Sequence, residues 1–418
     1  MLTTVFLLAV VLHLLVQVWL ARRQISYVTE HSNEVPGRFR AVIEPAEHAK
    51  AAQYTAAKQR LAIFEAVFDS LVLLALTLGG GISWLGRLTA GWSQSAVMTG
   101  TLHVLSVFAV LALLSVPFAV YRTFGLEQKF GFNRSTPAVF VSDLLKSWLL
   151  GGLLGGALVA VVLVIMSAAG NAWWLVGWIV WLSFSLLITW AWPRLIAPLF
   201  NKFSPLDDAE LRARIDALLD RCDFHAKSVY IMDGSKRSAH GNAYFTGLGK
   251  EKRIVFFDTL LSSLTPPQVE SVLAHELAHF KLRHVPQRLL ASAALSLAGF
   301  ALLGWLSRQS WFYSSLGVSE PGDSSALLLF ILVIPVFSWV VSPAMTAWSR
   351  RHEFEADAFA AEHSDASELA DALVRLYKDN ASTLTPDPIY SAFYDSHPPP
   401  ARRIERLVSA EPTNAATT

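Results

Sequence analysis

Residues 271–280 read SVLAHELAHF, and inside this apolar run stand His275, Glu276 and His279. On a helix, residues four apart lie one turn above each other on the same face. His275 and His279 can therefore offer two imidazole nitrogens to one ion, with Glu276 beside them to take a proton from a metal-bound water. This is the H-E-x-x-H zinc arrangement. Zinc brings the pKa of its water towards neutrality, and the carboxylate completes a nucleophile able to attack a peptide carbonyl. Composition alone produces the pattern in roughly one chain in a hundred of this length, so its surroundings decide how it is read.

A catalytic zinc usually has three protein ligands and one open position. The segment SRRHEFEADAFAAEH, 349–363, supplies Glu353, Glu355 and Asp357. Glu353 and Asp357 share a helical face at i, i+4, whereas Glu355 points away. Glu353 is assigned as the third ligand and Asp357 as the carboxylate that orients a ligating histidine. Glu355 is read as a solvated charge.

The elements that must hold these residues are largely apolar. Of 418 residues, 53% are hydrophobic and 16% charged, against about 25% charged in a soluble chain. The net charge of +1 gives no reason to expect a nucleic-acid partner. A single cysteine, Cys222, excludes an internal disulfide and a Cys-rich zinc module, and reads as a small core residue.

Seven segments are long and apolar enough to span about 30 Å of hydrocarbon: 2–20, 64–85, 101–121, 147–168, 172–192, 287–306 and 325–345. The first lacks a basic segment before it and a small-residue cleavage site after it, so it is read as a span rather than a secretion signal. Lys and Arg crowd the loops after the first and third spans and are sparse in the opposite ones. That bias places the N-terminus outside and 194–286 and 346–418 in the cytoplasm. The expected organisation is 1–193, five spans with their loops; 194–286, an aqueous zinc protease unit; 287–345, two spans; 346–410, the remainder of that unit; and 411–418 (EPTNAATT), a disordered tail.

Within 194–286, Ser204 as cap and Pro205 at the first helical position begin an expected helix with Leu211, Ile215, Leu218 and Leu219 on one face. KSVYIMD, NAYFTGLG and KRIVFFD read as three strands. Thr265 and Gln268 form a capping box that opens the helix carrying His275. His279 lies about eight residues before the sixth span and Glu353 about eight after the seventh, each within ~12 Å of the membrane along a helix. The metal must therefore lie close to the membrane face, which suits a substrate held at or in the bilayer.

At this point the chain resembles a family, the type I CAAX prenyl endopeptidases, which are seven-span membrane zinc proteases related to bacterial heat-shock membrane proteases. The resemblance rests on YRTFGLEQKFGFNRST, RSAHGNAYFTGLGKEKRIVFFDTLL, AHELAHF, SRRHEFEADAFA and SHPPPARRIERL, in family order. It implies a multi-pass α-helical fold enclosing a large chamber, closed by a small α+β zinc protease domain of gluzincin type with one Zn2+ per chain. It further implies that Asn242 and Ala243 lie on an edge strand that pairs with the substrate backbone, that His397 stabilises the tetrahedral oxyanion, and that Arg403 supports the site. Gly241 stands where the family commonly has a serine. The family reaction removes three residues from a C-a-a-X tail whose cysteine is prenylated. In a bacterial source, trimming or degradation of membrane proteins with broad specificity is the alternative.

The remaining histidines receive plainer readings. His13 and His103 lie within spans, where a bond to a neighbouring helix is expected. His240 adjoins the substrate strand, with contact to substrate left open, and the spacing of His284 and His352 does not make them ligands. A seven-helix receptor or transporter would carry paired ionisable residues along a pathway inside the spans, and the spans are almost free of them.

Overall fold

The computed structural model describes residues 1–224, 228–246 and 253–409. Among the described residues, six helices are long and apolar enough to cross a membrane: Leu2–Glu30, Ala96–Phe130, Pro137–Ala168, Gly170–Leu199, His284–Leu306 and Asp323–His363. A seventh span is a bent pair, Pro45–Leu76 and Gly81–Thr89, meeting at 57°. The sequence pattern had this span running straight through 64–85. The break falls at three consecutive glycines. Gly80 adopts φ +77°, and a Cβ on Gly79 would stand 2.6 Å from the Ala75 carbonyl oxygen. Only glycine accepts both conditions, so the apolar run continues while the helix does not.

In five of the six long spans, the protein itself buries only 11% to 22% of the apolar window. The helices are therefore not packed as a solid bundle. Instead, the two largest apolar cores among the described residues are separate from each other. One gathers spans and their ends, including Phe6, Leu85, Val104, Leu163, Leu303 and Leu328. The other holds the aqueous unit, including Ile215, Phe256, Leu273, Leu277, Leu369 and Ile404. Val35, Phe39 and Ile43, from the loop after the first span, belong to this second core. The sequence places that loop with the membrane half, because three scattered apolar residues carry no periodicity to reveal where they pack.

The aqueous unit contains a four-stranded sheet of order β1-β2-β4-β3: β1 (Phe203–Pro205), β2 (Ser228–Met232), β3 (Ala243–Thr246) and β4 (Arg253–Phe257). β2 and β4 are parallel, and the outer pairs are antiparallel. The three expected strands are present where described; Lys227, 247–249 and Lys252 of those segments lie outside the described residues, as does the 411–418 tail. β1 corrects the sequence reading, because Ser204 and Pro205 belong to a strand rather than a helix start. Pro205 is tolerated there because β1 is short and lies at the sheet edge, where a missing N–H costs little. The helix begins at Ala209, and the Asp208 carboxylate accepts from the Leu211 amide. Its expected apolar face, Leu211, Ile215, Leu218 and Leu219, is buried, as is Cys222.

The capping box at Thr265 and Gln268 is present in both halves and starts the Pro266–Lys281 helix. Among the described residues, long-range ion pairs tie membrane helices to the aqueous unit, Lys378 to Glu47 at 3.1 Å among them. Arg23 donates to Asp387 at 2.7 Å, and Arg237 grips Asp143 through two bonds.

Candidate metal centre and substrate cleft

The Pro266–Lys281 helix and the helix Ser342–His363 lie against each other and bring three side chains together. His275 Nε2 lies 3.4 Å from Glu353 Oε2, and His279 Nε2 lies 3.5 Å from Glu353 Oε1. The ligand atoms of His275, His279 and Glu353 all fall within 4.8 Å of one another, the separation a single divalent cation spans. Glu353 is only 3% exposed.

The two imidazoles are set for ligation by what their outer nitrogens touch. His275 Nδ1 lies 2.9 Å from Asp357, a carboxylate that accepts two bonds from the buried Arg403 guanidinium. The proton belongs on Nδ1, so the Nε2 lone pair faces Glu353. His279 Nδ1 lies 3.0 Å from His284 Nδ1, and His284 Nε2 lies 3.1 Å from Glu355. With His279 Nε2 turned to the centre, its Nδ1–H donates to His284, which donates through Nε2–H to Glu355. The donor set therefore fits zinc.

Charge separates the two rings. Burial alone would lower the His275 pKa, but hydrogen bonds to Asp357 and Glu353 outweigh it and push it up to about 9. His279 has no such carboxylate on its outer nitrogen. Burial, reinforced by the neighbouring His275, pushes it down to about 3. The proton held by His275 occupies the charge balance that a cation would replace. Glu276, partly buried beside the cleft, has its pKa raised chiefly by burial, with Glu353 adding to the effect.

His397 reaches the site from the segment before the last helix. Its Nδ1 lies 2.7 Å from Glu353 Oε2, and the ring faces the cleft. Arg403 lies behind Asp357, 5% exposed. Asn242 and Ala243 line the same cleft, at the start of β3, which is one of the two edge strands of the sheet. Successive strand residues present their backbone groups alternately to opposite sides. The Asn242 carbonyl accepts from Phe257 of the inner strand, so the Ala243 N–H and carbonyl face the free edge, where the N–H donates to the Asn242 side-chain oxygen at 2.8 Å. An added Cβ on Gly241 would meet Leu260 only at ordinary contact distance, 3.4 Å, so a serine would fit there.

Glu355 departs from the plain reading given to it, since it pairs with Arg351 and His284 rather than with water alone. Spacing also gave no sign of the His284 contact. It depends on Arg283, whose left-handed φ of 60° turns the chain sharply between the zinc helix and the sixth span. His284, His352 and Glu355 form a second group close enough for a metal. However, the two rings stack at 4.0 Å with 4° between planes, so their in-plane lone pairs run parallel and cannot converge on one ion. Each Nε2 already has a partner, Glu355 or Gln287. Elsewhere, His103 bonds the Ile82 carbonyl and Ser324, while His13 stacks on Trp339. His240 is held by Asn380 and stacks on Phe132.

Comparison with known proteins agrees with this architecture. Residues 24–202 match the model for the CAAX prenyl protease N-terminal region, five membrane helices, and residues 205–411 match peptidase family M48. The protein of Schizosaccharomyces pombe named "Probable CAAX prenyl protease 1" is 34% identical, over 91% of this chain and 83% of its own. The human CAAX prenyl protease 1 homolog is 30% identical, over 94% and 92%. The crystal structure of S. mikatae Ste24p superposes with a TM-score of 0.90 at 29% identity, covering 97% of this chain and 98% of that one. The chain therefore belongs to the CAAX prenyl proteases of peptidase family M48, and is a multi-span membrane metallopeptidase.

Proposed function

We propose that the protein holds one zinc ion through His275, His279 and Glu353 and cuts the last three residues from a membrane-held C-a-a-X tail whose cysteine is prenylated. What supports this most is one cleft of about 520 Å3, in which His275, Glu276, His397 and the free edge at Asn242 and Ala243 all meet. When bound, zinc would supply Lewis acidity, polarising the scissile carbonyl and acidifying the attacking water.

The chain's own residues do the rest. Ala243 pairs with the extended substrate backbone, a mode of recognition that suits a peptide tail. Glu276 takes the proton of the attacking water at a carboxylate oxygen and passes it to the departing amine. Its raised pKa keeps it a competent acid for the second step. His397, anchored through Nδ1, offers Nε2 to the developing oxyanion. Arg403 holds Asp357, and Asp357 holds His275. We read the catalytic unit as 194–286 together with 346–410, facing the cytoplasm with the N-terminus outside. The basic loops after the first and third spans support this orientation. The loosely packed spans favour a shell around an interior chamber.

The test uses detergent-purified protein and Glu276→Ala, each given a farnesylated C-a-a-X peptide and its unprenylated twin, with mass spectrometry reading loss of three residues. The expected result is zinc-dependent cleavage by the wild type alone, favouring the prenylated peptide. Equal cleavage of both would replace this reading with a broader membrane-protein protease. No cleavage, with zinc bound, would overturn it.

A further inference from the structure

We propose that Lys58 binds the C-terminal carboxylate of the peptide being cut, and so measures how much tail lies beyond the scissile bond. The proposal rests on the tail-cleaving function above. A tail of that kind ends in a free negative charge, and the cleft must receive it.

Among the described residues, two basic side chains other than histidine line the cleft, Arg403 and Lys58. Arg403 is committed, because it donates twice to Asp357, lies 3.4 Å from His275 Nδ1 and is buried behind the metal ligands. Lys58 differs in every respect. It is exposed to the cleft, and among the described residues no carboxylate lies within ion-pair reach of its Nζ. Glu127 is near enough for its charge to act on Lys58, but that carboxylate is engaged elsewhere. It accepts a 2.6 Å bond from Tyr54 and lies 3.6 Å from His240. What steadies Lys58 is a ring. Its Nζ stands 4.3 Å from the centroid of Tyr54, a cation–π contact that positions the ammonium and leaves its donors free.

Strand direction decides which end of the substrate meets this ammonium. A peptide pairing with the free edge of β3 in the more stable antiparallel ladder runs opposite to Ala243–Thr246. Its N-terminal side lies towards Thr246 and its C-terminal side towards Gly241 and His240. At that end His240 stacks against Tyr54, with centroids 6.5 Å apart, and Tyr54 carries Lys58. The residues that follow the cut bond are thus led towards Lys58. Three extended residues reach about 10 Å beyond the scissile carbonyl, a fixed length that a single terminal ion pair can register.

The test compares two farnesylated C-a-a-X peptides, identical except that one ends in a carboxylate and the other in a carboxamide. Each is cut by wild type, Lys58→Met and Lys58→Arg. A charge-assisted bond in a cleft gives about tenfold. For the wild type, the amide should therefore show a KM about tenfold higher at nearly unchanged kcat. Lys58→Met should raise the KM of the acid to that of the amide and treat the two alike, whereas Lys58→Arg should keep the preference. Lys58 faces open space, so these variants leave the core intact. Equal KM values for acid and amide in the wild type would overturn the role of Lys58 while leaving the tail-cleaving function standing. So would a full preference surviving in Lys58→Met. Failure of the wild type to cut either peptide would overturn the function itself, and Lys58 with it.

Discussion

His275 and His279 lie one turn apart on the same helix and face the same carboxylate, yet the protein backs them differently. Behind His275 stands Asp357, a buried anion neutralised by Arg403. Behind His279 stands a second imidazole, His284, which passes the hydrogen bond on to Glu355 at a position 40% exposed. In the first arrangement a buried anion touches the ring directly, and in the second an imidazole stands between the ring and a half-exposed carboxylate that is paired with Arg351. Identical ligand types therefore need not be equivalent ligands. The basicity of each depends on what its outer nitrogen touches.

Substitutions should separate the two sides, the largest effect falling on the buried one. Arg403→Met breaks a buried ion pair and leaves Asp357 with only the His275 ring as partner, which costs about 3–5 kcal/mol. Thermal unfolding in detergent should show a clear fall in Tm. Asp357→Asn removes the anion but keeps the shape; metal affinity, read by competition with a chelator, should weaken about 10–100-fold. His284→Phe preserves the ring stacked on His352 but removes the acceptor for His279. Affinity should fall about tenfold, the lower end of that range. Glu355→Gln, at the exposed end, should change affinity by less than about threefold. A reversed order would mean that the relay through His284, not the anion, dominates.

Proton release sharpens the same comparison. In the metal-free protein His275 is protonated below about 9, while His279, with its pKa near 3, is already neutral. A metal must displace the first proton and none from the second. Zinc affinity should therefore climb as pH rises towards about 9 and then level. Calorimetry at neutral pH in buffers of different ionisation enthalpy should count about one proton released. Two protons would place His279 beside His275 as a charged ring.

Much of this centre was legible in the sequence because it is local. His275, Glu276 and His279 lie within one and a half turns, Glu353 and Asp357 one turn apart, and Thr265 and Gln268 within one capping box. Periodicity and spacing register such relations directly. What escaped was long-range or conformational. The contribution of Val35, Phe39 and Ile43 to the aqueous core joins residues far apart in the chain. The strand at Ser204 and Pro205 exists because β2 lies beside it. The pairing of His279 with His284 needs a left-handed arginine. Spacing gives Lys58 no place in a site, because Tyr54 and the cleft that place it are brought together only by the fold.

The most direct test of the centre is the zinc content of purified wild type, Glu353→Gln and Glu355→Gln, measured by elemental analysis after dialysis against a weak chelator. These two glutamates lie on one helix, two residues apart, and each belongs to a group of side chains close enough for a metal. One zinc per chain in the wild type and in Glu355→Gln, with nearly none in Glu353→Gln, is the predicted result. Zinc retained without Glu353 and lost without Glu355 would contradict the assignment, and would move the metal to His284 and His352.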